Sequence, residues 1–285
     1  MLKKTFILFL LLFSYSLPQN RSFEFFPGGL NFPSLKANNQ EAKIGLLFYT
    51  KNNNMKIDVG NNIDVLSFRL LTDTKLTMGT EFMAYALSSS YSGKRLQINA
   101  IDGLFGGNLS YSSKEDSNLI LMRLRIIHNS AHLVDGAWDE SKSKWIDNYE
   151  PVPFAKDFAE YTFAYECNSD ASILKTYAGF SYNFLIRPSD MKRLNIHAGF
   201  ELTLTKLLGT LIGQKENVFL AHHFILGGTS KFGGNNNSML GIKFGDWYGK
   251  GLLLYLSYYS GFDLFDVYYK RKVKRFGFGF SIDFL

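Results

Sequence analysis

The sequence predicts an all-β fold, a closed antiparallel transmembrane β-barrel of about 12 strands with one long extracellular loop. Three observations carry this expectation. Segments of about ten residues alternate between apolar and polar side chains, the period of a strand with one wet and one apolar face. The composition is rich in aromatics, with 27 Phe and 16 Tyr, and its 25 Gly against 6 Pro suit long strands joined by turns. Beyond the N-terminal region no run of ~18 consecutive apolar residues occurs, so no helix is predicted to cross a bilayer.

From the N-terminus, Lys3 and Lys4 precede an apolar run, Thr5 to Phe13, that is too short for a spanning helix. Ser14 and Ser16 then stand at the −3 and −1 positions of a small-x-small cleavage site, the pattern of a secretory signal peptide over 1–16. Cleavage there would take two positive charges from a formal net charge of +6, leaving a mild basic bias that does not call for nucleic acid. Residues 17–42 are expected to form a periplasmic N-terminal segment and 43–285 the barrel. Within the former, Phe23-Glu24-Phe25-Phe26-Pro27-Gly28-Gly29 lacks strand alternation. It is read as packing at the periplasmic mouth or inserting as a small plug, against the alternative of a mobile leader. The single cysteine, Cys167, has no partner in the chain, so stability must come from elsewhere, and a closed ladder in lipid supplies it.

The clearest strand lies between Arg193 and Lys206. Leu194, Ile196, Ala198, Phe200, Leu202 and Leu204 take one face, with Asn195, His197, Gly199, Glu201, Thr203 and Thr205 opposite. From Leu174 to Ile186, Phe180, Tyr182, Phe184 and Ile186 share a face. From Leu76 to Ala86, Leu76, Met78, Phe82 and Ala84 oppose Thr77, Gly79, Glu81 and Tyr85. Further strands are expected over 43–50, 55–69, 96–111, 118–127, 157–167, 217–227, 238–246, 251–260 and 273–285. Periplasmic turns follow at 70–75, 112–117, 168–173, 205–216 and 247–250. Outer loops fall at 87–95, 187–192, 228–237, 261–272 and, longest, 128–156. Tyr49, Tyr91, Tyr111, Trp247, Tyr248, Tyr258, Tyr259, Tyr268 and Tyr269 gather near strand ends, as interfacial aromatic girdles would.

The last strand sets Phe276, Phe278, Phe280, Ile282 and Phe284 on one face against Gly277, Gly279, Ser281 and Asp283. It resembles the strand read by the outer-membrane assembly machinery, displaced by one place because Leu285 follows the final aromatic. The expected location is the cell outer membrane, and the expected partners are outer-membrane lipid and that machinery.

Three stretches resemble an uncharacterised family of bacterial outer-membrane proteins, classed as a domain of unknown function. They are Leu35-Lys36-Ala37-Asn38 with Glu41, Asp102-Gly103-Leu104-Phe105-Gly106-Gly107, and His128-Asn129-Ser130-Ala131-His132-Leu133-Val134-Asp135-Gly136. The resemblance implies an envelope barrel and supplies no activity.

Residue types for chemistry concentrate in the third stretch. His128, Ser130, His132 and Asp135 include a nucleophile, bases and an acid, the ingredients of acyl transfer. In an extended strand, residues two apart are ~7 Å apart, which argues against a direct serine–imidazole bond; His128 and His132, ~13 Å apart, would not share a metal. Without a bulge His128 continues the lipid-facing parity of Ile120, Met122, Leu124 and Ile126, whereas Arg123 and Arg125 face the lumen. Glu81, Arg123, Arg125, Glu160, Glu166, Lys175, His197, Glu201 and Lys243 are the expected inward charges, read as a network that fills a narrow lumen or as the lining of a pore. His222 and His223 point to opposite faces of a strand and make no joint metal site. No metal and no cofactor is called for. The functional readings are an integral outer-membrane barrel with a largely filled polar lumen, an ester hydrolase of lipid A or phospholipid at the outer rim, and a small-solute pore.

Overall fold

A computed structural model of the chain describes residues 22–51, 53–91, 95–145, 148–211 and 213–284. The expected signal peptide lies outside the described residues. Twelve strands form the wall: β1 (Ile44–Tyr49), β2 (Asn54–Leu71), β3 (Thr74–Tyr91), β4 (Arg95–Glu115), β5 (Asn118–His132), β6 (Phe154–Asn168), β7 (Ser172–Arg187), β8 (Leu194–Leu204), β9 (Gln214–Gly228), β10 (Phe232–Gly245), β11 (Gly251–Phe262) and β12 (Lys272–Asp283). Each pairs antiparallel with the next. The sheet closes when β12 pairs with β1, from Gly277 opposite Tyr49 to Ile282 opposite Ile44. Closure satisfies the backbone groups that an open edge would leave bare in lipid. No helix among the described residues is long and apolar enough to cross a membrane.

All twelve expected segments are strands, but many run further than their periodicity suggests. β3 continues to Tyr91 and β4 begins at Arg95; β9 ends at Gly228 and β10 begins at Phe232. The expected loops 87–95 and 228–237 are therefore mostly strand. The long loop is 133–153, because β5 runs unbroken to His132 and β6 starts at Phe154. Polar residues such as Ser88, Ser89 and Asn235 mislead here. In a barrel the inward half of every strand is polar, so polarity alone does not mark a turn.

The period of two separates the faces. Outward side chains such as Leu240, Phe278 and Ile126 are exposed on an apolar band, while their neighbours Met239, Gly277 and Arg125 are buried inside. A bulge between Asn183 and Leu185 shifts the parity of β7. It sets Leu185 outward and takes Ile186 off the face of Phe180, Tyr182 and Phe184, a correction to the expected alternation. The expected girdle is also corrected. Tyr49, Trp247, Tyr259, Tyr268 and Tyr269 are buried, whereas Tyr258 points outward. The side chain of Tyr91 lies outside the described residues.

Two short segments of chain fill the interior. The stretch expected as a periplasmic lead-in is, over Asn31–Ala42, packed inside the barrel: Phe32, Leu35, Ala37, Asn38 and Glu41 are all buried. Upstream, Phe23–Phe25 adds a short strand to β2 at Leu66–Phe68, where the six-residue β1 no longer covers the edge of its eighteen-residue neighbour. At the opposite end, loop 263–271 folds inward. Its Phe265, Val267 and Tyr268 are buried against Met83, Tyr85, Leu104, Ile127 and Phe158 of the wall. The sequence reading placed 261–272 outside as a loop. Its apolar residues are instead a lid on the mouth.

Candidate functional site

The plug and the wall meet through charge. Arg123 and Arg125 share the inward parity of β5. Arg123 forms a two-pronged ion pair with Glu41 of the plug and lies 3.9 Å from Glu160. Its guanidinium also stacks 4.4 Å from the ring of Phe32. Arg125 takes Glu81 through Nε (2.9 Å) and Nη2 (2.7 Å), Glu160 through Nη1 (2.9 Å), and the carbonyl of Gln40 (2.9 Å). The guanidinium fork suits such multi-carboxylate work better than an ammonium. A second group joins Lys175 to Glu201 (3.4 Å) and Glu166 (3.6 Å), and Tyr248 donates to Glu166. Glu201 also accepts the backbone N–H of Lys36 at 2.5 Å. Lys243 binds Asp283 at 2.5 Å and the carbonyls of Trp247 and Gly249.

Every expected inward charge is thus inside the barrel, and each acidic one is paired. The partner that sequence reasoning missed is Glu41. It lies on a segment without periodicity, so parity could not aim it. The only hint was a lone acid among small and amide residues just before β1.

His197 also faces inward, its Nε2 3.0 Å from Thr162 Oγ1, with its ring 5.8 Å from that of His223. His222, on the outer face, meets Ser238 at 2.8 Å. The two neighbours do point apart, and among the described residues no group of three His, Cys, Asp or Glu is placed to hold a metal.

The string in β5 is strand throughout and carries no bulge. Its parity therefore sets His128, Ser130 and His132 on the outer face, with Asn129 buried inside. His128 Nδ1 lies 2.5 Å from Asp157 of β6, and its ring is 5.0 Å from Phe105 of β4. Ser130 Oγ lies 3.1 Å from His132 Nε2. This corrects the expectation that residues two apart on a strand stand too far apart to bond: the imidazole leans along the strand and spans the gap. The side chain of Asp135, in the short turn Asp135–Ala137, lies outside the described residues.

The serine–histidine contact lacks the rest of a catalytic apparatus. Ser130 is laddered to Gly103 on one side and Ala155 on the other. The backbone of β5 around it is taken up in strand pairing on both sides, so the strand itself presents no oxyanion donor there. Among the described residues no side chain orients the other ring nitrogen of His132. His128 and Asp157 instead clasp β5 to β6 near the long loop.

No protein-family model matches the chain, and no curated protein matches it. Three solved barrels resemble it in shape. One is the β domain of the Bordetella autotransporter BrkA, with 11% identity, 84% of this chain and 98% of that one covered, and a TM-score of 0.43. Another is the outer-membrane expressed OmpT of Vibrio cholerae, with 6% identity, 93% and 98% covered, and a TM-score of 0.37. The third is OccAB1 of Acinetobacter baumannii, with 9% identity, 92% and 74% covered, and a TM-score of 0.36.

Proposed function

We propose that this chain is an integral outer-membrane barrel with a closed lumen, acting as a structural or binding barrel rather than as a pore. In this reading its apolar band meets outer-membrane lipid, and β12 engages the outer-membrane assembly machinery. The observation that carries the closed lumen is the plug itself. Glu41 is buried on Arg123, and Gln40 is held by Arg125, in the middle of the barrel. A water-filled channel would leave these charges solvated, and here Glu41, Arg123 and Arg125 are buried and paired. The rim serine adds no support for a hydrolase, since the strand that carries it is paired on both sides and, among the described residues, no side chain orients His132.

The test is conductance in planar bilayers beside fractionation of cells. Wild type should be electrically silent and should fractionate with the outer membrane as a heat-modifiable band. A variant with 31–42 replaced by a Gly-Ser linker should conduct. Steady ohmic conductance in the wild type would overturn the closed lumen. Recovery in the soluble periplasm would overturn the membrane assignment.

A further inference from the structure

A cavity of about 130 Å³ remains between the plug and the lid. Its floor is Asn38–Gln40 of the plug, its rim belongs to loops 188–193, 229–231 and 263–271, and one wall carries His197 and His223. A single water needs ~10–15 Å³ on this measure, so the cavity holds several, the scale of a small polar ligand.

The wall is not fully satisfied. His223 is 4% exposed, and its Nε2 has no hydrogen-bond partner among the described residues. Tyr177 Oη lies 3.2 Å from the His222 carbonyl and 3.1 Å from His223 Nδ1, and its single proton can serve either acceptor. In either tautomer of the ring, Nε2 is a buried polar atom without a partner among the described residues, and a group that can both donate and accept completes it.

Charge in the cavity is already neutralised by the protein. Glu160 is held by Arg125, Asp263 by Arg271 and Arg275, and Asp266 by Lys156. What is left to recognise a ligand is uncharged: the amide oxygens of Asn183 and Asn195, whose nitrogens already donate to the Lys192 carbonyl and Ser181 Oγ, the unpartnered nitrogen of His223, and the aromatic sides of Tyr259 and Phe158. Amide oxygens and an imidazole nitrogen match hydroxyl groups, and aromatic faces match the C–H face of a ring.

We propose that this cavity is a binding site for an uncharged polyhydroxylated ligand the size of one sugar ring, with a ligand hydroxyl hydrogen-bonded to His223 Nε2. The inference goes beyond the closed-lumen reading and is tested apart from it, since binding is measured without reference to conductance.

The experiment uses the full chain, folded in detergent and labelled with ¹⁵N-histidine, titrated with D-glucose, D-galactose and D-mannose. At least one sugar should move the His223 ring nitrogen signal saturably. Saturation transfer from protein to that sugar should fall at least tenfold in His223→Phe and survive in His223→Gln, whose amide can still hydrogen-bond. Heat-modifiable migration verifies that the variants fold. If His223→Phe does not fold, the wild-type titration alone decides. No shift with any of the three sugars overturns the proposal. So does equal transfer in a folded His223→Phe, or tighter binding of glucose 6-phosphate than of glucose.

Discussion

Glu41 and Arg123 lie 82 residues apart in sequence and meet as a buried two-pronged ion pair in the middle of the barrel. The pair turns an irregular leader into a fixed plug. Removing one partner leaves the other charge dry and uncompensated. Glu41→Ala should cost ~3 kcal/mol, at the low end of that class because Glu160 remains near Arg123. Urea unfolding of the purified barrel measures it. The double variant Glu41→Leu with Arg123→Met should recover most of the loss. A single variant as stable as wild type would show that the pair does not hold the plug.

Loop 263–271 should dock more firmly in acid. Burial pushes the Asp266 carboxyl above its ordinary value, against the pull of Lys156 and the Asn129 amide. Asp263 crowds it with like charge, and the Asp266 backbone N–H is held by Asp102 Oδ1 at 3.0 Å. An acid whose docked value is raised costs docking energy once it ionises. The docked state is therefore fully favoured below the undocked value, and it loses ground as pH rises through the docked one. Amides of Phe265–Tyr268, corrected for intrinsic exchange rates, should be better protected at mildly acidic than at neutral pH. The reverse trend would count against this account of the lid.

The outer face should tolerate shape changes and reject charge. Leu240 is 52% exposed on that face, near the middle of β10. Leu240→Arg should cost ~2–4 kcal/mol if that face is in lipid, while Leu240→Phe should be near neutral. Folded yield and heat-modifiable migration report both. Equal behaviour of the two would mean that the band does not face lipid.

At the rim, the histidine nearer the middle of the strand should matter more than the serine. His128→Ala or Asp157→Ala removes a cross-strand pair worth ~0.2–1 kcal/mol and should speed proteolysis of loop 133–153. Ser130→Ala should leave both the loop and the lipid A mass spectrum unchanged. A lipid A species made by wild type and missing only in Ser130→Ala would make the serine a nucleophile.

The wall was legible because a strand's period is exact. Once Leu124 and Ile126 face out, Arg123 and Arg125 must face in, and no contact need be known. The same rule placed His128 outward and separated His222 from His223. It could not judge reach along the strand, so it missed the contact between Ser130 and His132, which side-chain length makes. It was silent where the period stops. The apolar residues of 263–271 and the aromatics around them read as loop and girdle, because nothing local says that a loop folds inward. The plug was open for the same reason: Asn31–Ala42 has no repeat, and its hydrogen-bond partners lie on seven strands of the wall. His197 and Glu201 could be aimed inward, but neither the cavity beside His223 nor its unpartnered nitrogen could be seen from parity alone.

Asp283 touches two neighbours at once. It holds Lys36 of the plug at 2.9 Å and Lys243 of the wall at 2.5 Å, and it ends the strand that zips the cylinder shut against β1. The stopper and the zipper thus share one fastener. Parting the junction of first and last strands would release the stopper, and withdrawing the stopper would weaken the junction. Filling the cylinder and closing it are, through this one carboxylate, a single cooperative transition.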